Sequence, residues 1–474
     1  MVDEATLLKT DRGSIVAPAG CGKTELIALA AKATRGTPLL VLTHTHAGVR
    51  ALRDRMKRHG VDQGAARIET IAGWALRYAV AFPKGAKLVT DDPVDKQWDG
   101  IYQGATALLE IRAIREVIRA SYGRVIVDEY QDCTKIQHAL VSKLGELLPA
   151  CVLGDPLQGI FAFAGGQLGW AEVQDAFPAV GELNEPWRWR AKNEALGQWC
   201  LDIRRALIDG AAIDLTKSPI SFGRNDNTNQ ISHAHRVASL DGTVVAIRKW
   251  EHQAHGYAKN LGGRYRSMEE IEGKSLRSFA EDMDTLDGPG RAKRLVELAK
   301  DCMTGVGAAI PTAAKALEAG KRPDGTRTKN NPEMCAGLAQ VFDDPSPSRI
   351  HAAMVQLGKL GGCHMYRKEL WRDAQNLFVE FERGVRQTLE ETAIVVRNRQ
   401  RVIGRGVDPR AVSRTLLIKG LEFDHALVPS AVEFSDAKRP GDGARHFYVA
   451  VTRASRTLTV LSDSDEVRFP PAAI

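Results

Sequence analysis

The stretch SIVAPAGCGKTELIALAAKA, Ser14 to Ala33, decides the fold. SIVA has the length and character of a short buried strand, and ELIALAAKA (Glu25–Ala33) is built of strong helix formers. Between them lies APAGCGKT, Ala17 to Thr24, a loop of small residues. A strand, a small-residue loop and a helix in that order turn backbone N–H groups toward one point at a helix N-terminus. Phosphate oxygens are held in such a place. In a G-x-x-x-x-G-K-[ST] loop the lysine reaches the β- and γ-phosphates and the hydroxyl holds Mg2+. Here those residues are Lys23 and Thr24, with Ala19, Gly20, Cys21 and Gly22 as the cradle. Ala17 replaces the first glycine of the general pattern, and Pro18 stiffens the loop.

About a hundred residues later comes VIVDEYQD, Val125 to Asp132. An apolar run ending in two carboxylates supplies what nucleotide hydrolysis needs beside a phosphate loop. Asp128 is the candidate for Mg2+, directly or through water, together with Thr24. Glu129 is the candidate for orienting and deprotonating the attacking water.

The bulk properties bound the rest. At 474 residues the chain is too long for a single core and calls for two to four domains. Hydrophobic residues at 44% and charged residues at 26% are ordinary for a globular protein. A net charge of +7 leans only weakly toward a polyanionic partner. The seven cysteines are scattered with no C-x-x-C pair, which points to reduced thiols and a cytoplasmic setting rather than a disulfide framework or zinc site. No run of eighteen apolar residues occurs, so neither a membrane span nor a secretory signal is expected.

Along the chain, PLLVLT (Pro38–Thr43) and CVLGD (Cys151–Asp155) are expected strands, with the basic helix AGVRALRDRMKRH between. From Tyr78 to Ala120 the pattern loosens into an inserted subdomain. TVVAIRKW (Thr243–Trp250) resumes strand character. Helical periodicity then prevails from about Gly263 to Gly404, including a long stretch from Tyr366 to Arg401. After Arg414 come HALV, a helix with FYVAVTRA, and TLTVL.

The remaining motifs, in order, resemble those of the UvrD/Rep/PcrA-like helicases of superfamily 1. THTHAG from Thr43 and TIAGW from Thr70 resemble DNA-contacting segments. DEYQD resembles the metal-binding motif, GDPLQGIFAF (Gly154–Phe163) the G-D-x-x-Q-x-I-[YF] motif, and EPWRWR from Glu185 the N-Y-R-S-type segment. KGLEFDH from Lys419 and YVAVTRA from Tyr448 resemble the two closing motifs.

The resemblance implies an α/β fold of two RecA-like parallel-sheet domains, each with a mainly helical insertion. The expected division is residues 1–77 and 121–190 for the first domain, with 78–120 inserted. Residues 191–262 and 405–474 form the second, with 263–404 inserted. It implies ATP and Mg2+ as cofactors and 3′→5′ helicase or single-strand translocase activity, in DNA repair or anti-phage defence. A nucleotide-switched binding subunit that does not unwind is the alternative.

By resemblance, Gln158 senses the γ-phosphate or the water. Arg188 and Arg453 neutralise charge on the transferred group. Trp187 stacks on the base and Glu422 hydrogen-bonds the sugar. His44, Thr45, Thr70 and Phe163 contact single-stranded or tailed DNA. Compact helicases of this kind, such as the helicase subunit of Gabija-type systems, are paired with an OLD-family nuclease. The chain ends about twenty residues after Arg453 and shows no H-x-x-x-H pattern or Cys/His cluster, so a nuclease, if used, is expected on a separate subunit.

Several positions depart from the family pattern. No glutamine precedes Gln63, so the residue that reads adenine in relatives is missing. Glu25 follows Thr24 where relatives carry arginine, and Ala164 also replaces an arginine. TLLIKGLEF puts Leu416 and Leu417 on polar, DNA-coupling positions.

Overall fold

The computed structural model describes residues 2–91, 93, 96–160, 168–270, 273–327, 331–403, 407–435 and 441–472. The chain forms two compact units. The first comprises Met1–Phe222, Gly420–Glu422 and Ala431–Ile474; the second comprises Gly223–Lys419 and Phe423–Ser430.

The first unit is organised by a sheet of six strands: β1 (Arg12–Val16), β2 (Leu39–Thr43), β3 (Ala66–Thr70), β4 (Arg124–Val127), β5 (Ala150–Gly154) and β6 (Ala179–Glu182). Their order is β3-β2-β4-β5-β1-β6 and every pairing is parallel. Strands β2, β4 and β5 are buried along their whole length, as central parallel strands must be when helices cover both faces.

Alternate residues divide between two cores. Leu40, Leu42, Val125 and Val127 pack with Trp74, Ile101 and Leu140, while Leu39, Val41 and Ile126 pack with Ile27, Leu52 and Met56. That period of two is what a strand imposes on apolar side chains. The insertion expected after β3 is helical, with Gln97–Leu108 and Arg112–Ser121, and it sends Ile101, Tyr102 and Leu108 into the first of these cores.

Register places the chemistry. Val16 of β1 lies beside Gly154 of β5, and Val127 of β4 beside Val152 of β5. The phosphate loop after β1, Asp155 after β5 and Asp128 after β4 therefore leave the same C-terminal edge from three adjacent strands. Ligands of open parallel sheets bind at that edge.

The second unit holds four paired strands of its own. They run Arg266–Ser267, Arg410–Arg414, Val244–Arg248 and Phe423–Val428 side by side, all in parallel. Each unit is thus an α/β arrangement built on parallel strands with helices between them, the α/β class expected. The helices between Lys274 and Ile403 enclose a core of their own around Phe279, Leu295, Leu338, Met354, Trp371 and Phe378. The helical stretch expected from Tyr366 to Arg401 is two helices, Lys368–Phe381 and Leu389–Ile403. Gly384 at φ +71° lies between them, a left-handed position at which a helix readily stops.

Candidate nucleotide and nucleic-acid site

Gly22, at φ +83°, is the N-cap of the helix Lys23–Ala33 and makes no side-chain cap. The first N–H groups of that helix are thus not satisfied by a capping side chain, the condition for an anion to take them. The glycines are required by space as well as by backbone angle. A Cβ on Gly20 would come within 2.4 Å of the Trp189 ring, and one on Gly22 within 3.0 Å of Trp187.

Lys23 turns its ammonium to both carboxylates: Nζ lies 3.2 Å from Asp128 Oδ1 and 2.7 Å from Glu129 Oε1. Burial would lower the Lys23 pKa, but the two acids override it and raise it. Burial pushes the Asp128 carboxyl up against the pull of Lys23. Glu129 sits at φ +57°, a left-handed conformation costly for a residue with a side chain. Its N–H donates to Asp128 Oδ1 at 2.9 Å and its Oε2 accepts from Gln131 Nε2 at 2.6 Å.

Behind the loop runs a buried network. Asp155 Oδ2 accepts from the Ala19 N–H at 3.1 Å and from Gln158 Nε2 at 2.9 Å. The Ala19 N–H also points at Tyr448 Oη, 3.2 Å away. Of the cradle residues, Ala19 therefore turns its N–H to the protein rather than to a ligand. The Cys21 thiol is buried, its pKa pushed up by that burial to about 12, and its Sγ lies 3.8 Å from the Ala19 carbonyl.

Arg453 is 1% exposed and donates from Nη2 to Gln158 Oε1 at 3.3 Å and from Nη1 to the Leu421 carbonyl at 3.1 Å. Burial, then the neighbouring Arg188, lower its pKa to about 9, which leaves it charged at neutral pH. Arg188 donates to the Thr452 carbonyl at 2.7 Å and from Nε to Glu422 Oε2 at 3.1 Å. Glu422 is thereby engaged by Arg188, and by Lys192 at 3.2 Å.

The two tryptophans of EPWRWR differ. Trp187 is half exposed, with the Arg190 guanidinium 3.8 Å from its ring centroid. Trp189 is fully buried and donates its indole N–H to the Ala454 carbonyl at 2.7 Å.

The structure thus brings together Lys23, Asp128, Glu129, Gln158, Arg188, Arg453 and Glu422, with Thr24 on the first turn of the loop helix. Among the described residues no group of three His, Cys, Asp or Glu could hold a metal by itself. A hydroxyl and one carboxylate completed by phosphate and water is the usual Mg2+ donor set, and Thr24 with Asp128 fits it.

Three of the candidate DNA-contacting residues, His44, Thr45 and Thr70, lie on the same sheet edge. Thr45 and Thr70 are helix N-caps, accepting from the N–H groups of Gly48 at 3.0 Å and Gly73 at 2.9 Å. His44 Nε2 lies 3.4 Å from the buried Cys133 Sγ. Phe163 and Ala164 fall outside the described residues. Glu25, in place of the relatives' arginine, pairs with Arg55 at 2.5 Å and His59 at 2.6 Å.

Sequence reasoning gave no role to Tyr448, Gln131 or Arg204. Tyr448 opens the YVAVTRA segment, a signal in plain view; Arg204 lies in no motif.

The UvrD/REP helicase N-terminal domain family matches residues 87–174 of the chain. That span takes in DEYQD and the strand and acid of GDPLQ. No curated protein matches the sequence. Among solved structures, the Pif1 helicase from Bacteroides, in complex with ADP-AlF3 and ssDNA, aligns at 12% identity and a TM-score of 0.27. The alignment covers 54% of this chain and 54% of that one, so the chain spans about half the length of that relative. Among the described residues no helix is long and apolar enough to cross a membrane. The family match thus falls on the DEYQD segment, with the phosphate loop leaving the same sheet edge, and over residues 87–174 the chain is similar to the UvrD/REP helicase N-terminal domain.

Proposed function

We propose that the protein is an ATP-dependent DNA helicase or single-strand DNA translocase that moves 3′→5′. The observation that carries the reading is the position of Lys23, held between Asp128 and Glu129 while Arg453 bonds Gln158 behind the same loop. Lys23, Asp128, Glu129, Gln158 and Arg453 are groups of the kind phosphoryl transfer to water uses, and their proximity supports the reading.

Bound ATP and Mg2+ supply the phosphoanhydride and a divalent charge to neutralise it. Lys23 would leave the carboxylates to take phosphate oxygens, and Thr24 and Asp128 would hold the ion. Glu129, its turn held by Gln131, accepts the proton of the attacking water. Gln158 positions that water or the γ-phosphate. Arg188 and Arg453 neutralise the charge that grows on the transferred group. Trp187 offers an aromatic face for the base and Glu422 an acceptor for the sugar. His44, Thr45, Thr70 and Phe163 form the contact with single-stranded or tailed DNA. The motor belongs in this reading to cytoplasmic DNA repair or anti-phage defence, with any nuclease on a separate, OLD-type subunit.

ATPase activity measured with and without single-stranded DNA tests the proposal. Stimulation by DNA is expected, and turnover indifferent to DNA would overturn it. Strand displacement at matched ATPase rate separates a motor from a nucleotide-switched binding subunit.

A further inference from the structure

Arg204 lies on the helix Glu194–Asp209, outside every motif, yet it is only 7% exposed. Its Nη1 pairs with Glu182 Oε1 at 2.8 Å. Its Nε sits 3.6 Å from Asp155 Oδ1, buried and without a hydrogen-bond partner of its own. Asp155 is completely buried. A carboxylate so placed keeps its charge only beside a cation or several donors.

What Asp155 does with that charge is specific. Its Oδ1 accepts from the Leu157 N–H at 3.2 Å, and its Oδ2 accepts from both Ala19 and Gln158. The second pair of bonds joins the phosphate loop to the glutamine that meets Arg453.

We propose that Arg204 is a positioning residue for nucleotide hydrolysis, holding Asp155 as the acceptor that sets the phosphate loop at Ala19 and the amide of Gln158 together. An amide side chain fits a pocket in two orientations that exchange its oxygen and nitrogen. With Nε2 on the Asp155 carboxylate, Oε1 must face Arg453 Nη2, which is a donor. Turned over, the amide would set Oε1 against the carboxylate and Nε2 against the arginine, donor to donor. The Asp155 carboxylate, held by Arg204, selects the other orientation. Tyr448, accepting from the same Ala19 N–H, closes the network on the side of the closing motif.

The inference rests on the ATPase reading above, and the test separates the two. Arg204→Met, Arg204→Lys, Asp155→Asn and the double variant Asp155→Asn/Arg204→Met are compared for kcat, KM for ATP and melting temperature. Arg204→Met is expected to lower kcat about tenfold or more with KM changed by less than about threefold. Arg204→Lys should recover most of that loss. The double variant should be no slower than the slower of the two single variants, because residues acting through one network do not add. A kcat for Arg204→Met within twofold of wild type, or losses that multiply in the double variant, would overturn the proposal. Should Arg204→Met fail to fold, Arg204→Gln decides: a loss of kcat with KM little changed supports the role and an unchanged kcat overturns it. A wild-type protein without ATPase activity would instead overturn the functional reading.

Discussion

Lys23 Nζ and Glu129 Oε1 lie 2.7 Å apart, so the phosphate-loop lysine and the candidate base are joined as an ion pair. The two residues have different tasks once nucleotide is bound, and their variants should part company. Lys23→Ala removes a phosphate contact and should weaken ATP binding as well as abolish turnover. Glu129→Gln removes only the base and should leave an ATP-bound protein that turns over at least about a hundredfold more slowly. Filter binding beside steady-state ATPase checks both. Near-normal turnover by Glu129→Gln would refute the assignment of DEYQD.

Arg453→Ala should lower kcat far more than it raises KM, because the charge it meets develops in the transition state. The buried guanidinium also holds Gln158 and the Leu421 carbonyl, so the variant should lose melting temperature too. Arg453→Lys, which keeps the charge but not the fork of donors, separates the effects. It should regain stability more than rate.

Base selectivity should be weak. The candidate base platform is the half-exposed Trp187 ring backed by Arg190, and stacking distinguishes bases poorly. GTP should support turnover within about a thousandfold of ATP, roughly 4 kcal/mol. Trp187→Ala should raise KM for both nucleotides by similar factors. A nucleotide panel under identical conditions decides, and a preference for ATP beyond that limit would defeat the idea.

Thr45 and Thr70 are N-caps, which gives their DNA role a clean control. Thr45→Ala and Thr70→Ala should each cost about 1 kcal/mol of stability from the lost cap. Thr45→Ser and Thr70→Ser should keep both the cap and a hydroxyl for phosphate. If alanine but not serine weakens single-strand binding at a temperature where all variants are folded, the hydroxyls contact DNA. Equal binding by all of them would assign the threonines to folding alone.

In the second unit, Glu270 shares a hydrogen bond with Glu251, which with burial raises its pKa to about 7 from an ordinary 4.5. Burial works to raise Glu251 as well, but hydrogen bonds from His255 and Glu270 and the Arg414 charge bring it down to about 2. A raised carboxyl stabilises the fold while protonated, fully below its unfolded pKa, and that contribution is lost as pH climbs through the folded value. Wild-type stability should therefore fall between about pH 4.5 and 7 relative to Glu270→Gln, which stays neutral. Glu251 acts oppositely, and its contribution disappears only as pH drops toward 2. Denaturant titrations across pH 5 to 8 on both proteins give the comparison; parallel curves would refute the shared proton.

The strands legible in the sequence were the ones that are buried on both faces. LLVLT and ACVLG are unbroken apolar runs because helices cover them above and below. β3 and β6, reading ARIET and AVGE, lie at the sheet edges with partly exposed residues. Their short, interrupted apolar runs hid them, since an edge strand has no need of a continuous apolar run.

By itself the sequence determined the chemistry that is local: the phosphate loop, the DEYQD carboxylates and the order of the motifs. Strand, turn and helix there follow within a few residues of one another, so spacing alone fixes geometry. Only the tertiary structure decided which groups meet across the chain. Ala19 gives its N–H to Asp155, 136 residues on, and to Tyr448, 429 residues on. Arg204 reaches the same carboxylate from a helix with no motif at all. The contact of Ala19 with Asp155 exists because β5 pairs with β1, and those of Tyr448 and Arg204 because their helices pack beside that edge; such adjacency is set by burial of the whole core rather than by any local pattern.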